Sequence, residues 1–418
     1  MSNWIWFGLI VLAFVVANLA YPHVLTYALR NHVVDNPNER KLQRVPVPVM
    51  GGVVVWIGVL ITLIITFILT KDVYVIWNLV LLTIMFGIGV WDDMKNISAW
   101  LRFLVEIMVV WMMILVLKIE INDLHGLWGI HEIPDTVSMP LSLIAGVGII
   151  NAVNLIDGVD GYCSSYGIIA CIGFAIAFYV GGVWELSVLA LIFAAALVPF
   201  FFHNVFGRKS KMFLGDGGSL MLGTLLASFV FAMLTSGGPC EQFDADGLSP
   251  VAFSLAVLAV PVFDTLRVMT SRILRGLSPF HPDKTHLHHL FIDLNFSHLA
   301  TSYVIIGGNL FVVFCLLVAW KLGLPVDGQV YLVIALGLWN TTGFYYWMRR
   351  QEPKSVQDDG TALYQRVYRL GAKTHFSLSP FWMFLRDLMD NRFFGGREIN
   401  REVPPVPTDA VRPDPRIR

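Results

Sequence analysis

The sequence predicts an all-α, polytopic integral membrane protein with about eleven transmembrane helices. Three observations lead to this fold class. Hydrophobic residues make up 56% of the 418 residues and charged residues only 14%, whereas soluble domains carry about 25% charged residues. Apolar stretches of roughly 20 residues, the length that crosses the hydrocarbon core, recur along the chain. Lys and Arg concentrate in alternate connecting loops, as they do in proteins that cross a membrane repeatedly.

The first apolar stretch is predicted to be a membrane span and not a secretion signal. No Lys or Arg precedes it, and it continues to about Leu29, which is too long for a signal core. The fifth to seventh predicted spans are short or weakly bounded. The eleven spans are approximately Trp4–Ala28, Gly51–Leu69, Val73–Val90, Leu101–Leu117, Met139–Ile156, Tyr166–Val180, Leu186–Phe202, Ser219–Leu234, Pro250–Val268, Leu299–Trp320 and Gln329–Met348.

The distribution of basic residues predicts the orientation of the spans. Under simple alternation one set of loops holds thirteen Lys and Arg residues: Arg30, Arg40, Lys41, Arg44, Lys95, Arg102, Arg208, Lys209, Lys211, Arg267, Arg272, Arg275 and Lys284. The other set holds only Lys71, Lys118 and Lys321. The basic side is the cytoplasmic side. We therefore expect an outside N-terminus and a cytoplasmic C-terminus.

The chain divides into two parts by composition. Residues 1–348 form the predicted transmembrane domain, and residues 349–418 form a polar cytoplasmic tail. Within the tail, Tyr364–Leu370 and Pro380–Met389 are expected to be amphipathic surface helices, and about the last fifteen residues to be disordered. The net charge of −1 gives no bulk electrostatic reason to expect a nucleic-acid partner. The four cysteines show no metal-binding or redox spacing.

Polar residues gather in four clusters at the predicted cytoplasmic loops. The first is the pair Asp92 and Asp93 at the end of the third span. Adjacent carboxylates at a membrane boundary are costly unless they are paired, bound to a metal or solvated. A solvated helix end is the plain alternative for this pair.

The second and third clusters combine carboxylates with glycines. Asn151, Asn154, Asp157 and Asp160 lie within ten residues of one another, and the two asparagines share a helical face. A capped helix end followed by an Asx-turn would explain only part of this set. In the stretch 213–219, glycines at a helix start suit an anion nest and the Asp suits a divalent cation. Small-residue helix packing would explain the glycines alone.

The fourth cluster spans 272–289 and contains His286, His288 and His289. Three histidines within four positions make zinc a candidate ligand of this cluster. However, Asp283 is the only acidic residue close by, and the neighbouring basic side chains would repel a cation. Cations together with imidazoles suit phosphates better.

Together the four clusters resemble one family, the polyprenyl-phosphate N-acetylhexosamine-1-phosphate transferases. The Asp-Asp pair, Asn-x-x-Asn-x-x-Asp-Gly-x-Asp-Gly, Gly-Asp-x-Gly-Ser and His-x-His-His occur in the order typical of that family. The resemblance extends from about Asp35 to His289 and is strongest to the branch that uses UDP-N-acetylglucosamine, with the peptidoglycan translocase more distant. Gln43, Trp100 and Glu106 depart from residues common in the family, outside the four motifs.

The resemblance implies a membrane enzyme with cytoplasmic catalytic loops, in the bacterial inner membrane. Its expected partners are a UDP-sugar donor, a polyprenyl-phosphate acceptor and membrane lipid, with no nucleic acid; a homodimer is left open. The implied cofactor is Mg²⁺, or Mn²⁺ in its place. The implied metal ligands are Asn154 and Asp216, and the implied catalytic residues are Asp92, Asp93 and His289. The implied substrate-binding residues are Arg40, Lys41, Asn151, Asp157, Asp160, Phe213, Arg272, His286 and His288.

Two other classes of protein remain as alternatives. A transporter would place ionisable residues near the bilayer midplane, and only Glu106 and Asp264 approach such a position. A scaffold protein could use the tail but would have no need of the four clusters. We therefore expect transfer of an N-acetylhexosamine 1-phosphate, with N-acetylglucosamine favoured.

Overall fold

A computed structural model confirms the all-α membrane fold. It describes residues 3–35, 46–238, 246–279, 281, 283–353, 360–374 and 380–394. The helices, numbered in chain order, are α1 Asn3–Arg30, α2 Gly51–Thr70, α3 Val73–Lys95, α4 Ala99–Met112, α5 Asp135–Asn154, α6 Tyr162–Val180, α7 Trp184–Phe206, α8 Gly215–Met233, α9 Pro250–Val257, α10 Ala259–Leu274, α11 Leu287–Asp293, α12 His298–Lys321, α13 Val326–Leu338, α14 Phe344–Arg349, α15 Ala362–Ala372 and α16 Pro380–Phe394. Two antiparallel hairpins are formed by β1 Val34–Asp35 with β2 Val47–Pro48, and by β3 Asp123–Leu127 with β4 Ile130–Glu132.

Nine helices of the described chain are long and apolar enough to cross a membrane. They are α1 to α8 and α12, with α4 extended by the π-helical turn Met113–Leu117. If the bent pair α9–α10 crosses the membrane as one span, it is a tenth. The last predicted span, Gln329–Met348, falls on α13 and α14, which are joined by the π-helical segment Trp339–Gly343 and are not among these candidates. The described residues therefore give nine or ten candidate spans where about eleven were predicted.

The ninth predicted span, Pro250–Val268, is not one straight helix. It bends by 73° between α9 and α10. Pro261 has no N–H to donate to the carbonyl of Val257 four residues earlier. Instead Tyr166 and Asn309 donate to that carbonyl, at 3.1 and 3.0 Å. Hydropathy averages over the whole window and therefore could not show the break.

Helix α8 is the centre of the bundle. Of its most apolar 18-residue stretch, 94% is buried. Other helices can surround α8 because glycines allow backbones to approach closely. A Cβ added at Gly52 would lie 2.4 Å from the Gly218 nitrogen, and a Cβ added at Gly89 would lie 2.5 Å from the Gly217 nitrogen, so neither position has room for a side chain. The small residues that begin α8 thus serve helix packing, as the alternative reading of this stretch expected.

The segment before α8 is held against the start of α2. The Phe213 N–H donates to the Pro48 carbonyl at 2.8 Å, and the Gly51 N–H donates to the Phe213 carbonyl at 2.9 Å. Gly52 donates to Leu214 in the same way, at 2.8 Å. These backbone bonds fix the position of the residues that lead into α8.

Both predicted tail helices are present. Tyr364–Leu370 lies within α15, and Pro380–Met389 lies within α16. The Thr361 hydroxyl caps α15 by accepting from the Tyr364 N–H at 3.2 Å. The predicted disordered end lies outside the described residues, and the division of the chain at 348/349 stays a prediction.

Candidate active site

The N-terminus of α8 is capped by carboxylates from other parts of the chain. The first N–H groups of a helix have no partner within it. Here the Gly215 N–H donates to Asp157 Oδ2 at 3.1 Å, and the N–H groups of Asp216 and Gly217 donate to the two oxygens of Asp93 at 3.0 and 3.1 Å. The expectation of a nest for an external anion is therefore wrong for these groups, because the protein's own carboxylates occupy them.

Asp216 projects from this capped helix end towards α5 and α4. Its Oδ1 accepts a hydrogen bond from the Asn154 amide at 2.7 Å, and the same amide nitrogen donates to the Ser219 hydroxyl at 2.9 Å. Its Oδ2 lies 3.6 Å from Arg102 Nη1, and about a third of the side chain is exposed (34%). A carboxylate oxygen with this exposure is accessible to a ligand.

Arg102 connects the first cluster to Asp216. Its Nη1 lies 3.2 Å from Asp92 Oδ2 and its Nε lies 3.5 Å from Glu106 Oε1. Glu106 is buried and accepts from the Asn151 amide at 2.5 Å. One guanidinium therefore holds carboxylates of α3, α4 and α8 together.

Negative charge exceeds positive charge at this helix end. Burial, followed by the charge of Asp216, raises the pKa of the Asp157 carboxyl to about 7, although the hydrogen bond from Gly215 opposes the shift. Asp93 lies against the same helix start. Arg102 is the only cation paired with these carboxylates among the described ion pairs. The site is therefore electrostatically suited to a further cation.

The donor set fits Mg²⁺ completed by substrate oxygens. Within the described residues, no group of three or more His, Cys, Asp or Glu side chains is placed to hold a metal by itself. Mg²⁺ is usually bound by one or two carboxylates together with phosphates and water. Asp216 supplies such a carboxylate, and the Asn154 amide lies against it at 2.7 Å.

A second group of side chains, called here the second pocket, comprises Asp160, Lys211, His298 and Phe213. Asp160 Oδ2 accepts from Lys211 Nζ at 2.5 Å and lies 2.9 Å from His298 Nδ1. Burial would raise the pKa of Asp160, but the hydrogen bond from His298 and the charge of Lys211 keep it below its ordinary value. The buried Oδ1 has no hydrogen-bond partner. The Phe213 ring lies 5.7 Å from the same Lys211 nitrogen, so an unpaired acceptor and an aromatic ring share one pocket.

His286 is oriented by a buried ion pair. Its Nδ1 lies 3.0 Å from Asp264 Oδ2, and Arg267 binds the other oxygen of Asp264 at 2.6 Å. The opposite ring nitrogen, Nε2, is buried without a hydrogen-bond partner. The carboxylate thus fixes the ring and leaves one nitrogen able to bind a ligand.

The next two histidines are neutral near physiological pH. Burial and, to a lesser extent, the charges of neighbouring histidines lower the pKa of His288 well below 6.5. Burial and, to a lesser extent, the charge of His286 lower the pKa of His289 to about 4. A Cβ added at Gly158 would lie 2.9 Å from His288 Nε2. The histidine loop therefore touches the loop that carries Asp157 and Asp160.

Arg272 is bound within its own loop. It donates to the Pro279 carbonyl and to Asp283, both at 2.8 Å, and Arg275 donates to the other oxygen of Asp283 at 3.0 Å. The Nε of Arg272 is buried and has no hydrogen-bond partner. A phosphate at this position would have to share Arg272 with Asp283.

Comparisons with known proteins decide the family. The family model for glycosyl transferase family 4 matches residues 73–234. A probable undecaprenyl-phosphate N-acetylglucosaminyl 1-phosphate transferase of Bacillus subtilis is 30% identical over 305 residues, which cover 71% of this chain and 81% of that protein. The chain belongs to glycosyl transferase family 4.

Further relatives of this transferase carry similar names. A decaprenyl-phosphate N-acetylglucosaminephosphotransferase of Mycobacterium leprae is 31% identical, with 65% of this chain and 73% of that protein aligned. The undecaprenyl-phosphate alpha-N-acetylglucosaminyl 1-phosphate transferase of Escherichia coli K12 is 30% identical, with 63% and 70% aligned. Both the enzyme class and the family resemblance expected from the motifs are thereby confirmed.

Most of the predicted site residues of this family 4 transferase lie in connected clusters. Around the start of α8 the structure brings together Asp92, Asp93, Asn151, Asn154, Asp157 and Asp216. Asp160 and Phe213 share the second pocket through Lys211. The His288 ring lies 5.8 Å from the ring of His286 and 4.4 Å from that of His289, between ring centroids. Arg272 is bound to Asp283, and Arg40 and Lys41 lie outside the described residues. The individual roles stay predictions.

Four residues that hold the transferase site together were not predicted as site residues. They are Arg102, Lys211, Asp264 and His298. The i,i+4 spacing of Arg102 and Glu106 was a local signal of an ion pair. The contact between His298 and Asp160 joins residues 138 positions apart, so no local pattern could reveal it.

Proposed function

We propose that this protein transfers N-acetylglucosamine 1-phosphate from UDP-N-acetylglucosamine to a polyprenyl phosphate, with undecaprenyl phosphate favoured, and releases UMP. The observation that carries the proposal is the Asp216–Asn154 contact at an acidic helix end, next to an aromatic pocket with an unpaired acceptor. The names of the aligned relatives, two undecaprenyl-phosphate and one decaprenyl-phosphate N-acetylglucosaminyl phosphotransferases, support it. The product would begin a lipid-linked surface polysaccharide.

The chemistry we propose is direct attack of the lipid phosphate on the β-phosphorus of the donor. The acceptor is already an oxyanion, so a covalent enzyme intermediate would add little. Asp216 and Asn154 would hold Mg²⁺, or Mn²⁺ in its place. When bound, such an ion neutralises charge on the donor diphosphate. The protein's own part is to place the two anionic substrates in line.

The donor and the acceptor would contact different residues of the site. Phe213 would stack on the uracil ring, and Asp160 Oδ1 would accept a hydrogen bond from it, because this buried oxygen has no other partner. His286 would place its Nε2 against the diphosphate, with His288, His289 and Arg272 close to the leaving UMP. We also propose that Asp92 and Asp93 act on the acceptor phosphate, and that Arg40 and Lys41 bind substrate. Asn151 and Asp157 would support the metal ligands through Glu106 and the α8 helix start.

We further propose that the site faces the cytoplasm of a bacterial inner membrane, with the N-terminus outside. The thirteen-to-three distribution of basic residues supports this orientation. Cysteines introduced at Arg208 and at Asp327 test it with an impermeant thiol reagent in intact cells. We expect labelling at 327 only, and labelling at 208 from outside would contradict the orientation.

The activity is tested directly with detergent-solubilised protein, labelled UDP-sugar and polyprenyl phosphate. Labelled lipid and UMP are the expected products. Asp216→Asn should lower the rate about a thousandfold or more while the protein stays folded, since it removes the carboxylate charge that attracts a hard cation. Near-normal rates at saturating Mg²⁺ would remove Asp216 from the site. A panel of N-acetylglucosamine, N-acetylgalactosamine and deoxy donors then identifies the sugar.

A second measurement separates direct attack from a two-step reaction. A covalent intermediate would let labelled UMP exchange into UDP-sugar in the absence of polyprenyl phosphate. Direct attack requires the lipid, so rigorously delipidated enzyme should show no exchange. Exchange that persists after delipidation and is lost in Asp93→Asn would overturn the single-step proposal.

A further inference from the structure

The tail helix α16 lies against the loop that joins α7 to α8. Asp390 Oδ1 accepts hydrogen bonds from three successive backbone N–H groups, those of Arg208, Lys209 and Ser210, at 3.0–3.2 Å. The Ser210 hydroxyl donates to the same oxygen at 3.0 Å. Successive N–H groups pointing at one place bind an anion, and a charged acceptor makes each bond stronger. A single carboxylate of the tail therefore binds this loop.

An aromatic contact holds the same helix to α7. The Trp382 ring stacks on Phe206, the last residue of α7, with ring centroids 4.9 Å apart and planes 29° from parallel. On the other side of the loop, the Tyr21 hydroxyl donates to the Ser210 carbonyl at 2.7 Å. The loop is thus fixed between α1 and the tail.

This loop leads directly into the second pocket of the site. Lys211 follows Ser210 and bonds Asp160 at 2.5 Å, and its ammonium lies 5.7 Å from the Phe213 ring centroid. The next carbonyl, that of Met212, is fixed by the Asn204 amide at 2.7 Å. With the backbone fixed at 212, a shift of residues 208–210 changes the direction in which the Lys211 side chain leaves the chain.

We propose that Asp390 is a positioning residue for nucleotide binding. By holding the loop 208–210, it places Lys211 so that Asp160 and Phe213 are arranged to receive the uracil ring. The proposal rests on the proposed function, since it assumes that a uridine nucleotide occupies this pocket. It assigns a role to a tail helix that lies outside the segment matched by the family model, which ends at residue 234.

The test compares Asp390→Asn with Asp387→Asn, a matched change at an exposed position of the same helix. We expect Asp390→Asn to raise the KM for UDP-N-acetylglucosamine roughly tenfold, because charge-assisted hydrogen bonds are about twice as strong as neutral ones. The kcat and the KM for polyprenyl phosphate should stay unchanged. Asp387→Asn should leave all three constants at wild-type values.

The same substitution in a Lys211→Met enzyme tests whether Asp390 positions Lys211 or only stabilises the fold. If Asp390 acts through Lys211, then Asp390→Asn should add no further rise in KM to a Lys211→Met enzyme. If the two substitutions instead raise the donor KM independently, so that their effects multiply, the proposal is overturned. It is also overturned if Asp390→Asn changes kcat and both KM values together. If Asp390→Asn is recovered unfolded, Ser210→Ala replaces it and must raise the donor KM selectively. Absence of transfer by the wild-type enzyme would instead reject the proposed function.

Discussion

Replacement of Asp93 by Asn distinguishes a structural role of this carboxylate from a catalytic one. Its two oxygens accept from the N–H groups of Asp216 and Gly217 at 3.0 and 3.1 Å. An amide keeps one acceptor and places an NH₂ group against the other N–H. A hydrogen bond to a charged group contributes about 1.5–3 kcal/mol, and a carboxylate at a helix N-terminus adds about 0.3–1 kcal/mol. We expect Asp93→Asn to lower the free energy of unfolding by about 2–4 kcal/mol.

The consequence for activity follows from the position of Asp216 on the same helix turn. If Asp93 only fixes this turn, the variant should require roughly tenfold more Mg²⁺ for half-maximal rate and should recover most of its kcat when Mg²⁺ is saturating. Initial rates over an Mg²⁺ titration, with unfolding followed in the same detergent, measure both effects.

Asp72→Asn is the matched control. Asp72 caps α3 at its other end by accepting from the Tyr74 N–H at 2.9 Å, so its replacement should affect stability and leave the Mg²⁺ requirement unchanged. A fall in kcat of about 10²–10⁴-fold at saturating Mg²⁺, with normal stability, would refute the capping argument, because that is the loss expected for a general base.

Three further changes test other parts of the structure. Gly215→Ala should lower the free energy of unfolding by about 1–3 kcal/mol relative to Gly87→Ala, measured by thermal unfolding. Gly215 has φ +74° and an added Cβ would lie 2.6 Å from Asp93, whereas a Cβ at Gly87 meets open space. Equal stabilities of the two variants would contradict this. His289, with its pKa lowered to about 4, binds fewer protons folded than unfolded between pH 4 and 6.5. Its contribution to the free energy of unfolding, up to about 3 kcal/mol, should therefore be complete above pH 6.5 and lost as the pH falls towards 4. His289→Gln should flatten the dependence of the unfolding midpoint on pH. Asp264→Asn should lower kcat/KM about tenfold to a hundredfold by releasing the His286 ring, and an unchanged kcat/KM would show that the ring needs no such partner.

The sequence predicted the fold class because it depends on local patterns, and hydropathy located most of the spans. The motif order grouped Asn154 with Asp216, and these two side chains lie in contact at 2.7 Å. Their role as metal ligands stays a prediction. The bend between α9 and α10 was not predicted, because it goes with binding of the Val257 carbonyl by side chains from α6 and α12.

The arrangement within the site could not be predicted from local patterns. Asp93 was assigned to the acceptor side, yet its oxygens bind backbone N–H groups of α8. This contact joins residues more than 120 positions apart. Asp390 lies 180 positions from Ser210. Such pairings are set by how helices pack, so a sequence motif indicates which residues gather but not which of them bind one another.

The encased position of α8 affects how the enzyme tolerates its lipid surroundings. A helix in contact with lipid tilts or shifts when the bilayer becomes thicker or thinner. Helix α1, with only 28% of its most apolar stretch buried, is open to such adjustment, whereas α8 is 94% buried by the same measure. Because Asp216 sits on the most buried of the nine candidate spans in the described residues, changes in acyl-chain length should displace the outer helices while the spacing between Asp216 and Asn154 is preserved.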